Sequence, residues 1–209
     1  RAGGRGANLV AVSSRVIVPH RGLEAAKTRL ASVLSPAERG ELAADLLRRV
    51  LRTVREAIAD VVVISPSEAL ADLVEPLGAR LVVQRGMGLN DGLEQARGEA
   101  LADGIRTLAV LHGDLPDLLV ADVRALLRAV PQPAGVAIAP DRAGIGTNGL
   151  AMRPADAIRF RFGTGSCVAH REETARAGLP LAIVDRPGLA FDLDTPEDLA
   201  RLLARGDAA

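Results

Sequence analysis

Asp192 and Asp194 stand one residue apart in FDLDTPEDL (191–199), directly before a helix start at Thr195. In an extended segment residues two apart share a face. Two carboxylates held that close repel each other unless a proton or a cation neutralises them. They are either a solvated pair at a strand end or the two sides of a cation site. A third acid, Asp114, ends the apolar run LAVLHGD (108–114). Ligands of open parallel sheets collect outside the carboxyl ends of the strands, where all three acids are expected. Oxygen donors with no His or Cys beside them suit Mg²⁺, with Mn²⁺ as the variant, and such ions bind substrate phosphates.

Phosphate calls for cations and backbone N–H groups. Of 26 Lys and Arg residues, Lys27 is the only Lys. An Arg bias of this kind fits a GC-rich genome, and a Lys that survives it is expected to need its compact ammonium. Arg21, Lys27 and Arg29 lie together in the loop after the first apolar run, a usual place for a triphosphate cradle. Two Gly-rich stretches follow: DRAGIGTNGL (141–150), with Thr147 near its end, and FGTGS (162–166), where Gly163 and Ser166 precede a helix. Either an anion site or ordinary turn and capping chemistry accounts for them. His20, His112 and His170 are scattered without metal-ligand spacing, and His112 reads as a loop residue. Cys167 reads as a packed thiol. As the only cysteine it excludes an internal disulfide and a cysteine metal cluster.

These groups need a scaffold. The chain has 209 residues, 48% of them hydrophobic, and a formal net charge of zero, which gives no electrostatic footprint for nucleic acid. No apolar run reaches membrane-span length, and a cytoplasmic protein is expected. Short apolar runs alternate with helical patterns, which predicts a single α/β domain with a mostly parallel sheet between helices. Strands are expected at 15–19, 61–65, 80–84, 135–140, 148–153 and 181–185, with a further one in 107–118 that runs directly into a polar turn. Helices are expected after SPAE (35–38) and SPSE (65–68), both read as capping boxes, after GLND, after FGTGS and from Pro196. Gly78 should stop the second helix. Residues 1–14 read as a frayed or trimmed terminus, and 15–209 as the domain.

In this order VIVPHRGLEAAKTRL, LSPAERGELA, GLNDGLEQA, LHGDLP, DRAGIGTNGLAMRP, FGTGSCVAH and FDLDTPEDL resemble the small guanylyltransferases of coenzyme F-420 biosynthesis. The resemblance covers about 16–203. It implies a Rossmann-like fold of the nucleotide-diphospho-sugar-transferase type, and GMP transfer from GTP to phosphoenolpyruvate or 2-phospho-L-lactate with pyrophosphate release. It further implies that Asp114, Asp192 and Asp194 bind the metal and that Thr147, Gly163 and Ser166 hold the phospho-acid. Lys27 and Arg29 match the family's AKTRL loop, and Asn90 its LN, facing the nucleotide. Two positions depart: Arg21 stands where the family usually has Lys, and Thr164 where it often has Pro. GTP and a phospho-acid are the expected partners, with a homodimer and a downstream coenzyme-assembly transferase as candidate protein partners and neither nucleic acid nor membrane. A molybdopterin-type nucleotidyltransferase, a glycosyltransferase of related fold and a non-catalytic nucleotide sensor on the same fold are the competing readings.

Overall fold

Both faces of the sheet are covered, so its central strands need no polar side. In β1 (Ser14–Pro19) Val16 and Val18 enter one core cluster and Ile17 the opposite one. β2 (Val61–Ser65) divides likewise, Val61 and Val63 against Val62 and Ile64. That alternation explains why these strands read as unbroken apolar runs. The structure, a computed structural model, describes residues 14–206. The expected frayed terminus therefore lies outside the described residues except for Ser14, which is buried in β1.

The remaining strands are β3 (Arg80–Val83), β4 (Thr107–Leu111), β5 (Gly135–Pro140), β6 (Thr147–Arg153) and β7 (Leu181–Ile183). They form one sheet in the order β3-β2-β1-β4-β6-β5-β7, and all pairings are parallel except those of β6, which runs antiparallel to β4 and β5. The reversal matters for position. Because β6 starts where β4 and β5 end, Thr147 and Asn148 sit at the same sheet edge as Asp114. His112 N–H donates to Asn148 O across that edge (3.1 Å).

α1 (Pro36–Ala57) begins as expected. Ser35 Oγ accepts from Glu38 N–H and Glu38 returns the bond to Ser35 N–H, a cap worth about 1 kcal/mol. The second expected box does not form. Ser65 closes β2 in register with Val83, and its hydroxyl accepts from Ser67 N–H instead. Held by that turn, 68–77 makes only 3-10 turns around a single α turn, α2 (Ala71–Val74), before Gly78 ends it in the left-handed region. α3 (Leu89–Ala102), α5 (Ser166–Arg176) and α7 (Pro196–Gly206) follow the expectation. The sequence reading passes over α4 (Val120–Ala129), whose Val123, Leu126 and Leu127 are buried, and the short α6 (Pro187–Ala190). No helix among the described residues is long and apolar enough to cross a membrane.

A third, smaller cluster positions the chemistry. Leu30 and Leu193, both fully buried, pack with Leu46 of α1. Leu30 anchors the basic loop, and Leu193 lies between Asp192 and Asp194. One apolar contact thus ties the cationic loop to the acidic segment.

Candidate active site

β1 and β4 are neighbours, but the chain leaves them in opposite directions, toward β2 and toward β6. Such a switch point opens a crevice at the carboxyl ends of the two strands. A cavity of about 640 Å³ lies there, within the range of small-ligand sites, and its wall includes His20, Arg21, Lys27, His112, Asp114 and Asp194.

At its centre is a charged clasp. Lys27 Nζ lies 2.5 Å from Asp114 Oδ2 and 3.3 Å from Asp194 Oδ1, and Arg29 Nη1 lies 3.2 Å from Asp194 Oδ2. Lys27 is the one non-glycine at positive φ among the described residues, at 53°. That conformation costs roughly 1–2 kcal/mol, which the two ion pairs offset. Leu193 N–H donates to Asp114 O (3.1 Å), so backbone as well as side chain joins the acidic segment to the end of β4. Asp192 accepts from Asn148 Nδ2 at 3.3 Å.

The charges respond to these contacts. Burial would raise the Asp114 carboxyl, but the ammonium of Lys27 and the flanking histidines bring it below the usual carboxylate range. Burial, then the charge of Asp114, raises Asp192 despite its bond from Asn148. Burial alone would lower Lys27; Asp114 and Asp194 reverse that and raise it. His20 is lowered to about 4, chiefly by burial. Asp198 begins α7: burial opposes ionisation, but bonds from Thr195 and from the backbone of Asp194 lower its pKa and hold the turn carrying the acids.

The expected three-carboxylate metal centre is not preassembled. Among the described residues no group of three His, Cys, Asp or Glu is arranged to hold a metal ion. The reason is local: the ammonium of Lys27 already bridges Asp114 and Asp194. The donor chemistry nevertheless fits a hard cation. Asp114 Oδ1 is buried and has no hydrogen-bond partner, and one ammonium reaching two carboxylates places them within reach of a single ion.

Beside the clasp lies a neutral network. Thr147 Oγ1 meets His170 Nδ1 at 3.0 Å, and Arg161 N–H donates to His170 Nε2 at 3.0 Å. Ser166 is buried at the start of α5, with its N–H on Gly163 O (3.1 Å). Gly163 has φ 137°, a conformation open to glycine but strained for other residues. Asn90, expected to face the nucleotide, is committed elsewhere. Its Nδ2 donates to Phe162 O (3.0 Å) and its Oδ1 accepts from Phe162 N–H (2.9 Å). With both ends of its amide used, Asn90 braces the FGTGS loop. Phe162 in turn packs on His112, ring centres 5.6 Å apart, which makes the two halves contiguous.

A family model described as "Guanylyl transferase CofC like" matches residues 14–209. The chain belongs to that family. It is 44% identical over 191 residues to the phosphoenolpyruvate guanylyltransferase of Rubrobacter xylanophilus, covering 91% of this chain and 93% of that protein. It is 34% identical over 192 residues to the 2-phospho-L-lactate guanylyltransferase of Methanothermobacter thermautotrophicus, covering 91% and 84%. In fold it is similar to a putative nucleotide-diphospho-sugar transferase from Desulfovibrio desulfuricans G20, with TM-score 0.75, 23% identity and coverage of 90% and 85%. For this CofC-like chain the structure joins Lys27, Arg29, Asp114 and Asp194, sets Arg21 on the cavity wall, and pairs Asp192 with Asn148. Sequence reasoning missed Asn148 and His170. The nearest signals were the asparagine in GTN and the four-residue step from Ser166 to His170, one helical turn.

Proposed function

We propose that this enzyme transfers GMP from GTP to a phosphorylated three-carbon acid, with phosphoenolpyruvate the first candidate. The clasp carries this reading: two carboxylates and a buried ammonium meet at the switch point of the sheet, with Asp192 near enough to Asp114 to feel its charge. The names of the relatives point to the same chemistry and to more than one acid.

A phosphate oxygen of the acid attacks the α-phosphorus of GTP. A P–O bond forms there, and the bond to the β-phosphate breaks, its electron pair leaving with pyrophosphate. The attacking phosphate is largely ionised at neutral pH, its second pKa being about 6, so no general base is required. The protein contributes alignment and charge. Lys27 and Arg29 stabilise the charge gathering on pyrophosphate, and Arg21 extends the same cationic wall. Thr147, Ser166 and the backbone at Gly163 hold the acid. Asp114, Asp192 and Asp194 are the residues that would hold Mg²⁺, or Mn²⁺, which when bound supplies Lewis-acid stabilisation of phosphoryl charge.

Pyrophosphate release from GTP decides the matter, measured with phosphoenolpyruvate, 2-phospholactate and 3-phosphoglycerate in parallel. Turnover with at least one acid is expected, falling about 10²–10³-fold in Asp192→Asn and Asp194→Asn. Turnover with none of the three overturns the reading. Near-normal rates in either variant overturn the roles of the acids.

A further inference from the structure

We propose that His170 is a positioning residue for the second substrate, orienting the Thr147 hydroxyl as a hydrogen-bond donor toward that substrate's acidic group. The backbone N–H of Arg161 can only donate. It meets His170 Nε2 at 3.0 Å, so Nε2 carries no proton. A neutral imidazole then keeps its proton on Nδ1, and Nδ1 faces Thr147 Oγ1 at 3.0 Å. Thr147 therefore accepts from the ring. Thr147 is buried, and its own proton is not taken up by the ring.

The polarity matters because of what the ligand is. A phosphate or carboxylate offers acceptors only. With the proton on Nε2, the ring would instead accept from Thr147 and turn the hydroxyl's lone pairs toward an anion. The surroundings hold the required state. His170 is fully buried, the ring of Phe162 meets it edge-on at 4.7 Å, and burial depresses it to about 4, neutral at physiological pH. The same imidazole thereby fixes Arg161, directly ahead of the FGTGS loop, while Asn90 fixes Phe162. This inference rests on the reading that Thr147 meets the phospho-acid.

Two experiments test it. In the wild-type protein, nitrogen-detected NMR of the three histidine rings is expected to show His170 protonated at Nδ1; a proton at Nε2 overturns the proposal, and this measurement needs no variant to fold. The second is kinetic. Thr147→Val is expected to raise KM for phosphoenolpyruvate about tenfold, the scale of one hydrogen bond to a charged group. His170→Gln keeps an acceptor near Nε2 but lacks the Nδ1 donor. It should raise the same KM equally, leave KM for GTP unchanged, and add nothing in the double variant. His170→Asn, which restores a donor near Nδ1, should recover most of the loss. Additive losses in the double variant, or an equal rise in KM for GTP, overturn the positioning role. If Thr147→Val leaves KM for phosphoenolpyruvate unchanged, the substrate reading fails and the inference with it. If Thr147→Val acts and His170→Gln does not, the inference alone fails.

Discussion

The two halves of the site are built on opposite principles. Around Lys27 the contacts are ionic: an ammonium, a guanidinium and two carboxylates, with Asp194 partly open to water. Around His170 they are neutral, made of hydroxyl, imidazole, amide and backbone, and the key side chains are buried. The ionic half is suited to exchanging partners, because its buried charges are compensated by one another and can be compensated as well by an incoming phosphate or cation. The neutral half is suited to geometry, since hydrogen bonds with fixed donor and acceptor roles admit one arrangement. A transferase needs both. Nucleotide charge must be accommodated as it develops, and the acceptor must be aimed before it does.

The largest expected effect breaks the ionic half at its centre. Lys27→Met leaves Asp114 buried beside Asp194 without its counter-charge. Removing one member of a buried pair costs about 3–5 kcal/mol; the partial exposure of both acids brings this to about 2–3 kcal/mol here. Thermal unfolding should show the loss, and millimolar Mg²⁺ should recover part of it in Lys27→Met but not in Lys27→Met/Asp114→Asn. An undiminished melting temperature would remove the clasp from the account. Equal recovery in both variants would separate Asp114 from the cation.

The second prediction turns on neutrality in the other half. His170 titrates at about 4 in the folded protein, lowered first by burial and also by Arg161 and His112, with Glu173 opposing. Unfolded, it titrates near 6.5. Between these values the unfolded chain binds more protons, so stability is full above about pH 6.5 and is lost as pH falls toward 4. The contribution is at most roughly 3 kcal/mol. His20 acts in the same direction, while Asp192, raised in the fold, acts against them. The diagnostic quantity is therefore a difference: denaturant titrations from pH 7 to pH 4 should fall more steeply for wild type than for His170→Gln. Parallel slopes would show that the neutral half does not depend on its histidine being uncharged.

The halves also differed in how far the sequence disclosed them. Charge leaves compositional marks: a lone Lys among arginines, two acids one residue apart, an acid at a strand end. The parallel-sheet pattern and the cap at Ser35 were legible for the same reason, since each is encoded within a few residues. The neutral half is encoded at long range. Asn90 and Phe162 are 72 positions apart, and Thr147 and His170 are 23 apart. No local pattern states which distant backbone group an amide will satisfy. The SPSE stretch shows the converse failure. Its spacing fits a capping box, but Ser65 is held in β2, and register in the sheet prevails over a local hydrogen bond.

Asn90 carries the smallest predicted effect and the most discriminating one, because family position and geometry assign it to different substrates. By position in the LN motif it should face the nucleotide. By geometry its amide closes two bonds on Phe162, and truncation leaves an N–H and a C=O of the FGTGS loop unpaired. Unpaired groups of this kind cost about 1–3 kcal/mol when buried, and the loop is partly open, so about a tenfold rise in KM is expected for Asn90→Ala. The rise should fall on the phospho-acid and spare GTP. Asn90→Asp keeps the acceptor for Phe162 N–H and loses the donor to Phe162 O, so it should lie between wild type and Asn90→Ala. If KM for GTP rises instead, Asn90 belongs to the ionic half, and the line between charge compensation and fixed geometry runs through α3 rather than beside it.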